Sequence, residues 1–157
     1  MEKNYPKYNS YYYAYSRINS GIELGFYLEA ITIEESILTD RLYPYAVFLG
    51  FSATKEIEKI TLGQIIRQLE MNTTESDKHG FIFFEDLRVF WLNRSKCIHE
   101  VVKSYPGQET QDIEEFVSLA KDTAISGKEL SKNISTWTKN FRKNKEYEEF
   151  LTFNFGL

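Results

Sequence analysis

One arginine stands in a helical stripe of apolar side chains, and this feature most restricts the fold. In residues 84–105, apolar side chains recur three or four positions apart, which is the spacing of one face of an α-helix. The members of the stripe are Phe84, Leu87, Trp91, Ile98 and Val101. The position that would complete it is Arg94. The spacing therefore predicts a helix that presents a guanidinium where the pattern requires a core side chain.

A second predicted helix, residues 26–49, contains the matching irregularity. Its apolar stripe is Leu28, Ile31, Leu38 and Leu42. The position that completes this stripe is Glu35. A carboxylate is costly to bury unless a partner compensates its charge. Two interpretations follow: Glu35 pairs with Arg94 at the edge of the core, or it reaches past the stripe to water.

The arginine is followed five residues later by His99, with the polar Ser95 directly after it. This Arg-x4-His signature, on a late helix of a small helical chain, resembles the HEPN (higher eukaryotes and prokaryotes nucleotide-binding) superfamily. The segment GFYLEAITIEESILTDRL, residues 25–42, also looks like the second helix of those domains. The resemblance covers roughly residues 8–140. It implies an all-α bundle of about five helices, with residues 141–157 as a C-terminal tail.

The two signature residues have side chains suited to metal-independent RNA cleavage. Histidine exchanges protons near neutral pH, so His99 is the candidate general acid or base. Arginine presents a rigid fork of donors that suits phosphate oxygens, so Arg94 is the candidate for stabilising the phosphorane. The resemblance implies an endoribonuclease of a toxin or antiviral defence system that leaves a 2′,3′-cyclic phosphate.

Four further residues are candidates for supporting this pair or binding the substrate: Asn93, Ser95, Lys96 and Glu35. At about 100° per residue, the five residues from Arg94 to His99 place them about 140° apart around a straight helix. The arginine must therefore fold back, or the helix must bend. In HEPN enzymes two motif helices meet in a dimer, and the resemblance implies a homodimer with a composite site.

The resemblance also suggests a regulator. Some HEPN toxins carry, two residues after the histidine, a tyrosine that a nucleotidyltransferase antitoxin modifies, and here that position is Val101. Modification of that tyrosine is therefore not expected, whereas inhibition by antitoxin binding stays open. Two other functions also stay open: a non-catalytic HEPN-like module that binds nucleotide or protein, and a plain helical interaction protein.

Composition places the chain among cytoplasmic globular proteins. A length of 157 residues fits one domain over residues 1–157. The single cysteine, Cys97, excludes an internal disulfide and fits a reducing compartment. The net charge of −4 argues against a general nucleic-acid coat protein. We expect no metal or cofactor, because the sequence contains no metal-ligand spacing and no phosphate-binding loop. We also expect no signal peptide and no membrane helix.

The other segments complete the helical prediction. Helices are expected over residues 8–24, 54–70 and 109–140, and the helix that carries Arg94 over residues 81–104. A break near residues 61–63 is the alternative for the second of these, whose buried face is expected to consist of Leu62, Ile65, Ile66 and Leu69. A loop is expected over residues 72–80 and leaves His79 solvated. In the first helix, the tyrosines are expected to pack on the core, with base stacking as the alternative. They are Tyr8, Tyr11, Tyr12 and Tyr15. The core candidates of the last helix include Ile113 and Val117.

Overall fold

The computed structural model describes residues 5–54, 56–99 and 112–157, and these residues form an all-α protein. They contain no strand, one short 3-10 helix at Ile57–Lys59, and seven α-helices. The α-helices are α1 (Tyr5–Leu24), α2 (Tyr27–Phe48), α3 (Leu62–Met71), α4 (Thr73–Lys78), α5 (Phe84–His99), α6 (Ile113–Phe141) and α7 (Lys145–Phe155). The predicted all-α class is confirmed. The two additional helices are α4, in the predicted loop, and α7, in the predicted tail.

The described residues divide into two compact units. The first comprises the described parts of Met1–Ile37 and Phe90–Glu129, and the second comprises Leu38–Val89 and Leu130–Leu157. Both candidate catalytic residues, Arg94 and His99, belong to the first unit.

In the first unit, α1 and α2 are joined by a tight turn. Gly25 has a φ of 84°, which is left-handed backbone that glycine adopts without steric cost. The amide of Phe26 donates to the Gly21 carbonyl oxygen, and an ion pair between Arg17 and Glu29 links the two helices. The buried apolar side chains of this unit are Ile18, Ala30, Ile31, Ile37, Phe90, Cys97, Ala120 and Ala124.

The second unit has an aromatic core around Tyr45. This side chain is fully buried, and its ring lies 4.9 Å from Trp137, 5.3 Å from Phe141 and 5.9 Å from Phe81. The Tyr45 hydroxyl is 2.9 Å from Nδ1 of His79. Burial raises the pKa of the Tyr45 phenol. A single hydrogen-bonded tyrosine therefore organises the packing of this unit.

The predicted loop over residues 72–80 is wrong, as is the solvated His79. Residues Thr73–Lys78 form helix α4, and the His79 amide donates to the Glu75 and Ser76 carbonyl oxygens at its end. The polar composition predicted a loop, but Ser76 is buried, and the half-buried imidazole packs against Phe141 at 4.9 Å. Tertiary packing therefore overrides the local composition.

The third predicted helix is shorter in the structure. Thr61 caps α3 by accepting from the Gln64 amide, and the Gln64 side chain accepts in turn from the Thr61 amide, which forms a capping box. This cap starts the helix at Leu62 rather than near residue 54, in agreement with the alternative of a break near residues 61–63. The predicted buried face is confirmed, and it consists of Leu62, Ile65, Ile66 and Leu69.

Some predicted core positions are exposed. Tyr8 and Tyr12 of α1 face solvent, so the prediction that this tyrosine stripe packs on the core is wrong for them. Ile113 and Val117 are exposed at the start of α6, and Leu28 is exposed in α2. Ile113, Val117 and Leu28 each lie within the first five residues of their helix. The predictions on Val101, on the end of α5 near residue 104 and on a helix start near residue 109 fall outside the described residues.

Across the described ranges, no helix combines the length and apolar character that crossing a membrane requires.

Candidate active site

Helix α5 places Arg94 in its buried face. The fully buried side chains of this helix are Leu87, Phe90 and Cys97. Arg94 lies four residues after Phe90 and three before Cys97, which is the spacing of one helical face. The predicted apolar stripe is offset from this face, because its members Phe84, Trp91 and Ile98 are only partly buried. Its position for Arg94 nevertheless agrees with the structure, in which only 17% of the arginine side chain is exposed.

The predicted pair between Arg94 and Glu35 is present. Nε of Arg94 donates to Oε2 of Glu35 at 2.7 Å, and the two side chains are 17% and 15% exposed. A charge-assisted hydrogen bond with this little solvent contact is strong and fixes the orientation of the guanidinium. Glu35 therefore pairs with the arginine rather than reaching to bulk water.

Trp91 supports the guanidinium from a second direction. The Cζ atom of Arg94 lies 5.1 Å from the centroid of the Trp91 ring, within the range of a cation–π contact. The sequence analysis assigned Trp91 only to the apolar stripe, although its spacing of three residues from Arg94 is the signal for such a contact. Its half-buried indole completes the support of the arginine.

The structure brings Arg94 and His99 together within one chain. NH1 of Arg94 lies 3.3 Å from Nε2 of His99, so the arginine side chain folds back across the helix as the spacing required. Guanidinium nitrogens only donate, so Nε2 is the acceptor in this contact and carries no proton. The imidazole is exposed, whereas the guanidinium is largely buried. An acceptor nitrogen thus stands at the surface beside a fixed cation.

The other predicted supporting residues are neighbours of Arg94 on α5. Asn93 and Ser95 are half-buried, and Lys96 is exposed. The hydrogen bonds of Arg94 described above go to Glu35 and His99 and to none of these three. These three residues therefore place polar groups within one helical turn of Arg94 without holding its guanidinium.

The sequence analysis missed a second carboxyl group beside the site, that of Glu34. Its side chain is fully buried, and neither oxygen has a hydrogen-bond partner among the described residues. Burial raises the pKa of Glu34 to about 9, and the positive charge of Lys128 opposes this only in part. At neutral pH this carboxyl is protonated. The signal in the sequence was its spacing, since Ile31, Glu34 and Leu38 share one helical face.

No group of three or more His, Cys, Asp or Glu side chains in the described ranges could hold a metal ion. Cys97 is buried, and burial raises the pKa of its thiol. A buried thiol of raised pKa is a poor nucleophile. Among the described residues of this site, the exposed imidazole is that of His99.

No protein-family model, characterised protein or solved structure matches this chain. The function of the site is accordingly inferred from its own side chains.

Proposed function

We propose that this protein is a metal-independent endoribonuclease of the HEPN type, active in the cytoplasm as a toxin or in antiviral defence. The observation that carries the proposal is the contact of 3.3 Å between NH1 of Arg94 and Nε2 of His99. It joins an exposed proton acceptor to a cation whose position is held by Glu35 and Trp91. RNA cleavage without a metal needs both groups next to one phosphate.

The reaction follows from the chemistry of these two side chains. When the phosphate binds, the terminal nitrogen of Arg94 exchanges Nε2 of His99 for a phosphate oxygen, which frees the single lone pair of Nε2. Nε2 then accepts the proton of a ribose 2′-hydroxyl, and the 2′-oxygen attacks the adjacent phosphorus. The bond from phosphorus to the 5′-oxygen then breaks, which yields a 2′,3′-cyclic phosphate and a 5′-hydroxyl end. Arg94 donates to the phosphate oxygens as their negative charge increases. Glu35 keeps Nε occupied, so the terminal nitrogens of the fork face the substrate.

A second proton must reach the leaving 5′-oxygen, and one imidazole does not supply both transfers at once. A homodimer with two copies of His99 in one cleft would provide the second group. Leu92 supports this arrangement, because it is 57% exposed and precedes His99 by seven residues, so both lie on one side of α5. An exposed leucine two turns before the imidazole, on the same side of the helix, suits a contact between two motif helices.

A second candidate function is a HEPN-like module that binds a nucleotide or a protein, such as an antitoxin, without cleaving RNA. The observation in its favour is that Glu35, Trp91 and the buried face of α5 already satisfy Arg94 as a structural residue. A plain helical interaction protein would use the arginine in the same way. Both alternatives predict that a substitution of His99 does not change the cleavage of RNA.

The test is cleavage of total cellular RNA in EDTA by the wild-type protein beside His99→Ala and Arg94→Lys. We expect His99→Ala to lower the rate by about 100-fold or more, the usual contribution of a general acid or base. Arg94→Lys keeps a positive charge for Glu35 but loses the planar fork, so we expect cleavage to fall while the fold persists. End-group analysis should find the cyclic phosphate.

The matched control is His79→Gln, which changes the other histidine of the chain and keeps a polar group beside Tyr45. We expect this variant to cleave RNA like the wild type. Equal cleavage by all four proteins would show that the activity does not come from this site. Absence of cleavage by folded wild-type protein would favour the binding module.

A further inference from the structure

Helix α1 exposes four tyrosines. Tyr5, Tyr8, Tyr12 and Tyr13 are each between 65% and 73% exposed, and all lie within its first three turns. A tyrosine ring is largely apolar, so a group of them in water indicates a binding surface rather than a packing remainder. We call these four residues the tyrosine face.

The segment that carries the tyrosine face is depleted of negative charge. The whole chain has 23 acidic and 19 basic residues, yet no Asp or Glu occurs between Tyr5 and Ile22. The charged side chains of that segment are the cations Lys7 and Arg17, of which Arg17 is paired with Glu29 of α2. The next acidic residue of the helix is Glu23, beyond its first three turns, so an anionic ligand on the tyrosine face meets no carboxylate of those turns.

The aliphatic content of the segment argues against a protein partner. The first three turns of α1, residues 5–15, contain no Leu, Ile, Val or Met, and the exposed aliphatic side chain of this helix, Leu24, lies at its other end. Helix-in-groove docking normally uses such aliphatic anchors at helical spacing. The tyrosine face instead combines aromatic rings with hydroxyl groups and small polar neighbours.

We infer that the tyrosine face binds single-stranded RNA by stacking bases on its rings. The inference rests on the proposed function in taking RNA as the ligand, and it assigns the strand a place on α1. Tyr8 and Tyr12 are one turn apart, which is about 6 Å along the axis, so their rings are spaced for neighbouring bases. Stacking on aromatic rings accepts every base, so this face would bind RNA with little sequence preference.

The test is fluorescence anisotropy with a labelled 2′-O-methyl oligouridine of about twelve nucleotides, a length within the range of single-strand sites. The 2′-O-methyl group removes the attacking hydroxyl, so the wild-type protein binds this probe without cutting it. Tyr8→Leu/Tyr12→Leu removes the rings and keeps apolar area, whereas Tyr8→Phe/Tyr12→Phe keeps the rings. We expect the leucine pair to weaken binding about tenfold or more, and the phenylalanine pair to change it less than about twofold.

The control is Phe153→Leu, which removes a ring that is 90% exposed on α7. We expect it to leave the affinity unchanged. The inference is overturned if the wild-type protein does not bind the probe, or if the leucine pair binds as tightly as the wild type. It is also overturned if sedimentation shows that the leucine pair changes the oligomeric state and not the affinity, because the face would then join copies of this chain.

A separate assay distinguishes this inference from the ribonuclease proposal. A dinucleotide such as UpA offers two bases instead of the many of a long RNA, so the leucine pair should lower the cleavage of UpA much less than the cleavage of long RNA. Wild-type protein that binds the probe through its tyrosines and yet cleaves no RNA would refute the ribonuclease and leave the RNA-binding face standing. If the wild-type protein cleaves RNA and the leucine pair binds the probe as tightly as the wild type, the ribonuclease proposal stands and the RNA-binding face is refuted.

Discussion

Adjacent glutamates in α2 differ because only Glu35 is hydrogen-bonded to a cation, whereas Lys128 acts on Glu34 through its charge alone. Glu35 accepts a hydrogen bond from Arg94 at 2.7 Å, so it is a paired carboxylate at the edge of the core. Glu34 has no hydrogen-bond partner for either oxygen among the described residues. An ionised carboxyl in that environment would be far more costly than a protonated one. Glu35 therefore positions the guanidinium of Arg94, whereas Glu34, one residue earlier, is a buried neutral acid.

The raised pKa of Glu34 makes the stability of the fold depend on pH. Between pH 4.5 and about 9 the carboxyl keeps its proton in the folded state and loses it in the unfolded state. Unfolding is therefore favoured progressively as the pH rises, by about 1.4 kcal/mol per unit. We expect Glu34→Gln to match the wild type at pH 5 and to become more stable than it toward pH 8. Urea unfolding at each pH measures the difference.

Glu129→Gln is the control for this pH series, because Glu129 is an exposed carboxyl of α6. Its effect on the free energy of unfolding should be small and nearly independent of pH. The free energies of unfolding of Glu34→Gln and of the wild type could instead differ by the same amount at pH 5 and pH 8. The Glu34 carboxyl would then be ionised in the folded state, which would contradict its burial without a partner.

The sequence was sufficient to predict the pair of Glu35 and Arg94, because each residue interrupts an apolar stripe and the two charges are opposite. It was not sufficient to predict Glu34. The stripe through Leu28 excluded it, and Leu28 is exposed. A helix with apolar residues on several sides has no single stripe, so the buried face of α2 is set by the helices packed on it rather than by its own periodicity.

At the scale of elements, α2 and α6 approach each other closely at Gly127. A Cβ atom at this position would overlap the Glu34 carboxyl and the Phe90 ring, so glycine is required by contact and not by backbone conformation. Gly127 lies inside the helix predicted over residues 109–140, and α6 runs through it from Ile113 to Phe141. Because glycine has no side chain, the Glu34 carboxyl of α2 and the Phe90 ring of α5 can lie against α6 at this position.

We expect Gly127→Ala to destabilise the fold. Alanine favours a helix by about 1 kcal/mol over glycine, but overpacking a core costs about 1–3 kcal/mol, and here the added atom meets two side chains. Chemical denaturation should show a net loss of stability. Asn133→Ala is the matched control, an exposed position of the same helix, where alanine should be neutral or stabilising. A stabilised Gly127→Ala protein would contradict the close approach.

Element types were predicted better than element boundaries. The capping box of Thr61 and Gln64 and the helix-spaced apolar residues of α3 are local signals, and the structure confirms its buried face. Helix α4 carries no such signal. Its six residues are all polar, and its place depends on the burial of Ser76 and on the packing of His79 against Phe141 and Tyr45. Contacts between residues far apart in the chain are not readable from a local pattern.

At the scale of the whole molecule, the question is whether one chain holds a complete site. One chain provides Arg94, its support and one imidazole, and the reaction proposed above needs a second proton-transferring group. Leu92 lies on the same side of α5 as His99 and is exposed to solvent. Burying a leucine in a contact between copies contributes about 1.5–3 kcal/mol, enough to affect a dimer measurably.

We therefore expect Leu92→Glu to shift the protein toward the monomer in sedimentation experiments and to lower RNA cleavage in parallel. The leucine touches neither the guanidinium nor the imidazole through a described hydrogen bond, so a loss of activity would reflect assembly. Val117→Glu places the same charge at a valine that is 44% exposed on α6 and should leave both properties unchanged. A monomeric Leu92→Glu protein with full activity would mean that Arg94 and His99 of a single chain suffice. The second proton would then come from solvent or from the exposed Lys96 beside them.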